Sequence, residues 1–424
     1  MKLTTKYLAL FLAFGFFSAG SAFAQFTNEL QYYRYQDQRG LNVFEAPFKT
    51  DVQFEGVEFK VGGANTLQFQ GLDSKNNGNV QLLNIGPNFN LATSNLDIDA
   101  ALGNGLRMHL RTYLTSRHHT EPYVKDGYFQ IDRLDFIEEG FLSGLMEKVR
   151  IKLGHMEINY GDNHFRRSDN GQAIFNPFVG NYIMDSFTTE VGGEIYYSDS
   201  GFLGMFGLTN GKLNQSVVES DPGSPSTKPS IVGKLGYDSQ INPDLRVRLM
   251  TSIYTTKESS RTYLYGGDRA GARYYNVVTN STDDFRTGRF DPAFRNELTA
   301  IMINPFIKYQ GLEFYGVYEN ATGKAVGEND KRSFDQYGAE LLYRFGTREQ
   351  LYIGGRYNLV SGEEAGTGNN IDISRYNIGG GWFLTQNILA KAEYVTQKYD
   401  GFDDASMYAD GKFNGFMLEA VISF

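Results

Sequence analysis

The sequence predicts an all-β protein: a transmembrane antiparallel β-barrel of about sixteen strands, with short periplasmic turns and long extracellular loops. The first observation is the ending GFMLEAVISF, where apolar residues alternate with others and the chain stops on Phe424. Successive strand residues point to opposite faces, so one face is wholly apolar while the other carries Glu419 and Ser423. Lipid outside and water inside would explain every position, although a soluble edge strand would show the same alternation.

The second observation is the spacing of turns and loops from about residue 54 onward. Alternating segments of roughly 10 to 14 residues are joined by connections that are in turn short and long. The short ones carry the Gly, Asn, Asp or Pro of tight hairpins, at 103–104, 199–201, 241–244, 310–311, 346–349 and 386–387. The long, polar ones lie at about 71–91, 117–124, 159–186, 213–227, 259–295, 325–332, 364–373 and 401–410.

The N-terminus predicts export. Lys2 and Lys6 precede an apolar stretch, and Ala22-Phe23-Ala24 forms a small-residue cleavage site, which is typical of a secretory signal peptide over 1–24. Its removal takes away both lysines, so the mature chain is more acidic than the full sequence with its net charge of -9. An acidic chain lacks the basic footprint of a nucleic-acid binder. Residues 25–53 lack sustained alternation and are predicted to form an extended periplasmic or lumenal segment.

The composition suits a barrel. There is no cysteine, so neither disulfides nor thiolate metal sites hold the chain. No apolar run of about 18 residues follows the signal peptide, which excludes helical membrane spans. The 48 Gly, 28 Tyr and 33 Phe fit many strands with tight turns and aromatic girdles. No linker divides the chain, so 54–424 is predicted to be one barrel, with its strands at 54–70, 92–102, 105–116, 147–158, 187–198, 228–239, 245–258, 312–324, 333–346, 350–363, 374–387, 388–400 and 411–424 among the sixteen.

Charge is sorted onto one face of these strands. The polar faces carry basic stripes, formed by Arg107, His109, Arg111, Lys148, Arg150, Lys152, Arg246 and Arg248. They also carry carboxylates, at Asp97, Asp99, Glu194, Glu340, Glu393 and Glu419. An Arg or Lys facing lipid at the midplane costs about 2 to 4 kcal/mol, so this sorting is what a stable barrel requires. The charged walls could filter solutes across water, or they could simply be solvated positions that satisfy one another.

The loop at 159–186 is predicted to fold into the barrel and narrow it. It carries charged and titratable side chains, at Asp162, His164, Arg166, Arg167 and Asp169. It also carries apolar ones, at Phe175, Phe178, Val179, Tyr182, Ile183 and Met184, which a fully solvent-exposed loop seldom holds. A loop packed on the outer surface is the alternative. The longer loop at 259–295 interleaves arginines with tyrosines but nearly neutralises them with aspartates, so a self-paired extracellular loop is favoured over a carbohydrate-contact surface.

Enzymatic chemistry finds little support. The five histidines, His109, His118, His119, His155 and His164, lack the spacing of a metal-binding helix. No G-x-S-x-G elbow is present. We therefore expect no enzyme activity, no metal and no cofactor.

Two stretches resemble a known family. Gly154 to Tyr197, GHMEINYGDNHFRRSDNGQAIFNPFVGNYIMDSFTTEVGGEIYY, resembles the third-loop region of the outer-membrane porins of Bacteroidota. Tyr33 to Glu45, YRYQDQRGLNVFE, resembles their N-terminal segment. The resemblance implies a sixteen-strand porin-like barrel, related in architecture to general and phosphate-selective porins and commonly a homotrimer. It also implies that Arg166, Arg167 and Asp169 line the constriction, and that Phe424 is the signal read by the outer-membrane assembly machinery.

The leading expectation is a passive diffusion channel for small hydrophilic solutes in the lipids of the outer membrane. The predicted pore-lining residues are Arg107, Arg111, Arg150, Lys152, Arg246, Arg248, Asp162, His164, Arg166, Arg167 and Asp169, and a mild anion preference is expected from the eight arginines and lysines among them. The main alternative is a closed barrel that acts as a surface adhesin or structural protein through its extracellular loops. A transporter for apolar ligands is opposed by the polar lumen stripes.

Overall fold

The computed structural model describes residues 29–90, 93–115, 122–167, 172–213, 216–220, 222–267, 274–282 and 286–424, so the predicted signal peptide lies outside them. Seventeen strands form one antiparallel sheet, and sixteen of them are long. The strands are β1 Glu58–Lys75, β2 Asn88–Phe89, β3 Thr93–Gly103, β4 Leu106–Thr115, β5 Tyr123–Ile131, β6 Val149–Glu157, β7 Thr189–Asp199, β8 Phe202–Thr209, β9 Ser230–Asn242, β10 Leu245–Thr256, β11 Glu297–Tyr309, β12 Leu312–Lys324, β13 Arg332–Phe345, β14 Leu351–Glu363, β15 Asn370–Thr385, β16 Ile388–Asp400 and β17 Lys412–Ser423.

The sheet closes on itself because β1 pairs with β3 on one side and with β17 on the other. Every other long strand pairs with its neighbours in the chain, from β3 through to β17. The terminal residue completes the ladder: the Phe424 amide donates to the carbonyl of Gly63 at 3.0 Å, and its carbonyl accepts from the Gly63 amide at 3.1 Å. Closure leaves no free sheet edge, and the predicted fold class is confirmed.

The two faces of the sheet differ in chemistry. On β17, Phe416 and Leu418 point outward and are 65% and 52% exposed, while Met417 and Glu419 point inward and are buried. Tyr343, Phe345 and Trp382 are among the exposed aromatics on other strands. An apolar exterior with aromatic side chains suits a lipid bilayer, so this is a transmembrane barrel of the outer-membrane type.

The helices are short. A one-turn α-helix, Ser143–Met146, lies in the connection between β5 and β6, and three 3₁₀ turns span Gln38–Gly40, Asn163–Arg166 and Ala173–Phe175. None of the helices among the described residues is long and apolar enough to cross a membrane.

The first strand differs from the predicted span 54–70. It runs over Glu58–Lys75, because residues 71–75 continue the backbone pairing with β17 as far as Lys412. Those residues include Asp73, Ser74 and Lys75, whose polarity suggested a loop. Backbone pairing with the last strand thus extends β1 beyond its apolar part.

Three segments occupy the interior of the barrel. We call residues 29–53 the N-terminal segment, residues 159–167 and 172–186 the inner loop, and residues 259–267, 274–282 and 286–295 the long loop. The N-terminal segment contacts the short-turn rim: the Gln38 amide donates to the Gln386 carbonyl at 2.9 Å, and the Gln31 side chain donates to Asn104 at 3.1 Å. The inner loop lies above it, and the long loop packs on the inner loop through a bridge between Met184 and Phe290.

Candidate functional site

The inner loop is held by polar side chains that project inward from the strands. Its Ile183 and Met184 amides donate to Asn358 on β14 at 2.6 Å and to Gln336 on β13 at 2.9 Å. The Val179 amide donates to Glu393 at 2.9 Å. An irregular segment lacks the backbone hydrogen bonds of a sheet, so these side-chain oxygens accept the hydrogen bonds of its buried amides. The apolar residues predicted to pin the loop, including Phe175, Phe178 and Ile183, are buried.

Asp162 joins the inner loop to the opposite strands through an ion-pair cluster that also contains Glu45, Lys234 and Arg248. Its carboxylate lies 2.8 Å from the Arg248 guanidinium and 2.7 Å from the Lys234 ammonium. Glu45 of the N-terminal segment contacts the same two cations at 2.9 and 3.2 Å. Burial would raise the pKa values of both carboxyl groups, but Arg248 and Lys234 outweigh it and hold them below the ordinary range.

Arg166 and Arg167 point in different directions. Arg166 donates to Glu340 on β13 at 2.6 Å and stacks over the Tyr315 ring at 4.5 Å, so it spans to the far wall. Arg167 is hydrogen-bonded to Asp185 and to the Ser186 carbonyl within the same loop. Both guanidinium groups therefore brace the loop. Asp169, carried over from the same motif, lies outside the described residues.

A polar cavity of about 130 Å³ remains between the inner loop, the N-terminal segment and the wall formed by β3 to β7. Predicted residues of this wall do line it: Arg107, Arg111, Arg150 and Lys152, together with His164 from the inner loop. The cavity is flanked by five Arg and Lys side chains and four carboxylates, so its charge is mixed with a small excess of cations. Burial, with Lys234 nearby, holds the pKa of His164 well below its ordinary value, which leaves the imidazole neutral.

The wall cations are paired with carboxylates. Arg111 makes two 2.7 Å hydrogen bonds to Asp97, the residue directly opposite on β3, and Arg107 is hydrogen-bonded to Asp99. Lys152 lies 3.7 Å from Glu194. The sequence left two interpretations of these charges, a filter for solutes or residues that satisfy one another, and the pairing of cations with carboxylates describes much of this wall.

The remaining predicted arginines hold the N-terminal segment. Arg150 donates to Asp132 at 2.6 Å and to the carbonyls of Ala46 and Pro47 at 2.7 Å each. Arg246 lies at the short-turn mouth, where it pairs with Asp238 and donates to the Asn42 carbonyl at 2.8 Å. Arg248 belongs to the cluster around Asp162. The structure thus divides the predicted set into a cavity group, a cluster group and a mouth group.

Sequence reasoning missed Arg34, Glu45 and Lys234. Arg34 and Glu45 belong to a segment without strand alternation. Lys234 points inward from β9 and is followed in the sequence by the exposed Leu235. One signal was present: the N-terminal segment holds many aromatic and apolar residues, including Tyr33 and Phe44, which are buried. The same reasoning that placed 159–186 inside the barrel applies to it.

The long loop departs from the expectation of a self-paired extracellular loop. Among its described residues, Asp291 pairs with Arg295 at 2.6 Å. Tyr265, Tyr274 and Tyr275, however, are buried inside the barrel, where Tyr265 donates to Glu319 and Tyr274 donates to Glu393, both at 2.6 Å. The inward-facing carboxylates of the strands accept the hydrogen bonds that these tyrosine hydroxyls would otherwise donate to water in an exposed loop.

No protein-family model and no curated relative matches the chain. Its fold matches solved structures. An anion-selective porin from Comamonas acidovorans is 11% identical, with 87% of this chain and 100% of that chain covered and a TM-score of 0.54. The outer membrane channel DcaP of Acinetobacter baumannii is 12% identical, covering 88% and 99%, with a TM-score of 0.51. The trimer form of in-vitro folded OmpT of Vibrio cholerae is 11% identical, covering 87% and 100%, with a TM-score of 0.51.

At these identities the similarity shows the fold, which is porin-like. Together with the apolar exterior, it places the chain among outer-membrane β-barrels, and the outer membrane is its location.

Proposed function

We propose that this protein is a passive channel for small hydrophilic solutes, with the inner loop as its constriction. The observation that carries the proposal is the charged, polar cavity left between the inner loop and the β3 to β7 wall, inside a barrel whose exterior is apolar. Polar groups around a water-sized space favour hydrated solutes over apolar ligands. The anion-selective porin of Comamonas acidovorans and the outer membrane channel DcaP, which share the fold, support the same function.

The channel is narrow. Three segments share the lumen, and a cavity of about 130 Å³ has room for a few water molecules or one small ion. We therefore propose selective passage of ions and very small solutes, with a mild anion preference from the excess of cations around the cavity. The anion selectivity named for the porin of Comamonas acidovorans supports the same preference.

Planar-bilayer recording tests the channel. The purified full-length protein should produce stepwise currents of small amplitude in potassium chloride. Liposomes that contain it should admit ions while excluding disaccharides. A protein that inserts into the bilayer and stays electrically silent would refute the channel.

The assembly state and the surface role are separate proposals. A homotrimer is supported by the trimer form named for the matched OmpT structure, and native mass spectrometry in detergent would test it. The alternative of a surface adhesin places the function in the extracellular loops, among them 259–295 and 401–410. Tyr265, Tyr274 and Tyr275 of the long loop are buried, so these three aromatic residues do not contribute to such a surface.

A further inference from the structure

The N-terminal segment inserts one arginine into the cavity. Arg34 is 8% exposed and lines the cavity from the short-turn side. Its guanidinium donates to the carbonyls of Gly40 and Phe165 at 3.3 and 3.2 Å and to the Gln172 side chain at 3.1 Å. It also lies 4.2 Å from the Phe175 ring centroid. All of these partners are uncharged.

This sets Arg34 apart from the other cations around the cavity. Each of those has a carboxylate within ion-pair distance: Asp99 for Arg107, Asp97 for Arg111, Asp132 for Arg150 and Glu194 for Lys152. Within the described part of the chain, no carboxylate lies within 4 Å of the Arg34 guanidinium. Burial lowers its pKa to about 9, which still leaves it protonated at neutral pH. Glu45 and Glu157, two carboxylates of the same cavity lining, act on this charge through space, but neither forms an ion pair with it among the described residues.

One acceptor on the cavity wall, Gln36 Oε1, and three donors, Arg34 Nε, Arg107 Nε and the Tyr33 hydroxyl, have no hydrogen-bond partner among the described residues. All three donor residues are more than nine-tenths buried. Leaving a buried donor unsatisfied is costly, so such groups mark a place where another acceptor belongs. Guanidinium and phenol N–H and O–H groups suit the oxygens of a carboxylate or phosphate.

We propose that the N-terminal segment builds an oxyanion-binding site inside the channel, with Arg34 as its specificity-determining cation. The proposal rests on the proposed channel function and names the solute class it serves: small solutes that carry one carboxylate or phosphate group. Tyr33 and Arg107 supply further donors. The cavity is large enough for one such group. Because the other wall cations are paired with carboxylates, they do not bind anions unselectively.

Equilibrium binding tests the site without relying on conduction. Labelled acetate and labelled inorganic phosphate are each dialysed against the folded full-length protein in detergent. Saturable binding of at least one is expected, and the stronger ligand identifies the carboxylate or the phosphate as the preferred group. Arg34→Gln should lose this binding, while Arg34→Lys should keep part of it because the charge remains.

Arg39→Gln is the matched control. It removes the same charge from the same segment, but Arg39 is paired with Asp37 at 2.6 Å and its side chain is 46% exposed. Binding should be unchanged in this variant. Heat-modifiable migration of each variant on gels checks that the barrel has folded.

Reversal potentials in a potassium chloride gradient supply the second readout. A unit charge about 5 Å from an ion in water changes the local concentration of that ion by about fourfold, upward for chloride and downward for potassium, so Arg34→Gln should lower the chloride-to-potassium permeability ratio by up to about sixteenfold. Arg39→Gln should not. A conducting protein whose ratio and anion binding are the same in wild type and Arg34→Gln overturns the site. Arg34-dependent binding by a silent protein refutes the channel and leaves the site standing.

Discussion

Replacing Asp162 by Asn should release the first part of the inner loop while the barrel stays folded. Asp162 is fully buried and its carboxylate contacts Arg248 at 2.8 Å and Lys234 at 2.7 Å. Asn keeps the shape but removes the charge, so the two buried cations are left to share Glu45, and Arg248 keeps in addition its 3.0 Å pair with Asp238. Removing one partner of a buried ion pair costs about 3 to 5 kcal/mol, or on the order of a hundred- to several thousand-fold in the docking equilibrium.

The loss should stay local. The barrel is closed by sixteen continuous strand pairings, and the second half of the loop keeps its own anchors, including the bonds of Ile183 and Met184 to β14 and β13. Undocking therefore affects the part around Asn163–Arg166. Arg166 and Arg167, which are 7% and 2% exposed in the folded protein, then become accessible.

Limited trypsin digestion measures this exposure, because trypsin cleaves after arginine. Asp162→Asn should be cut after Arg166 or Arg167 much faster than the wild type, with the fragments identified by mass. Asp199→Asn is the control: it breaks the exposed pair of Asp199 with Lys148 at a short turn and should leave the digestion pattern unchanged. Equal cleavage of Asp162→Asn and wild type at these sites would refute the anchoring argument.

Three further outcomes are expected. Phe424→Ala should lower the yield of membrane-inserted protein without changing the conductance of inserted channels, because Phe424 points outward and its backbone bonds to Gly63 survive; a normal yield in fractionated membranes would contradict this. Since the pKa values of Glu45 and Asp162 are lowered, their stabilisation is present above the ordinary carboxyl range and is lost only as pH falls through the lowered values; protection of the amides at 160–167 against hydrogen exchange should therefore persist at about pH 4, where ordinary carboxyl groups are about half protonated, and its loss there would contradict the shift. Leu341→Arg on the lipid face of β13 should destabilise the folded barrel by about 2 to 4 kcal/mol in refolding titrations, and no change would show that this position does not face hydrocarbon.

Most of the strand architecture could be predicted, because each hairpin is specified locally. The spans 312–324 and 388–400 coincide with β12 and β16. Both sit next to a tight turn, and Gln310 adopts the positive φ of 51° that such a turn requires. Alternation then decides which face meets lipid. These signals lie within a few residues of one another, so no long-range information is needed.

The partners across the lumen could not be predicted in the same way. Alternation shows that Arg248 points inward, but which residue it meets depends on how an irregular loop and the N-terminal segment cross the barrel. Asp162 and Glu45 lie far from it in sequence, and no periodicity links them. Only the buried aromatic residues of those two segments could have indicated that both enter the interior.

The pairing pattern changes how selectivity should be reasoned about in this barrel. Counting basic residues on the inward faces overstates the field that a passing ion meets, because Arg111 is neutralised by Asp97 and Arg150 is occupied by Asp132 and two carbonyls. A paired charge acts on a solute mainly as a dipole, whose effect decays faster with distance than that of a single charge. The net field must then come from a cation whose partners are all neutral, and Arg34 is such a cation on the cavity wall. Selectivity should therefore follow a segment that precedes the barrel rather than the strands that form it.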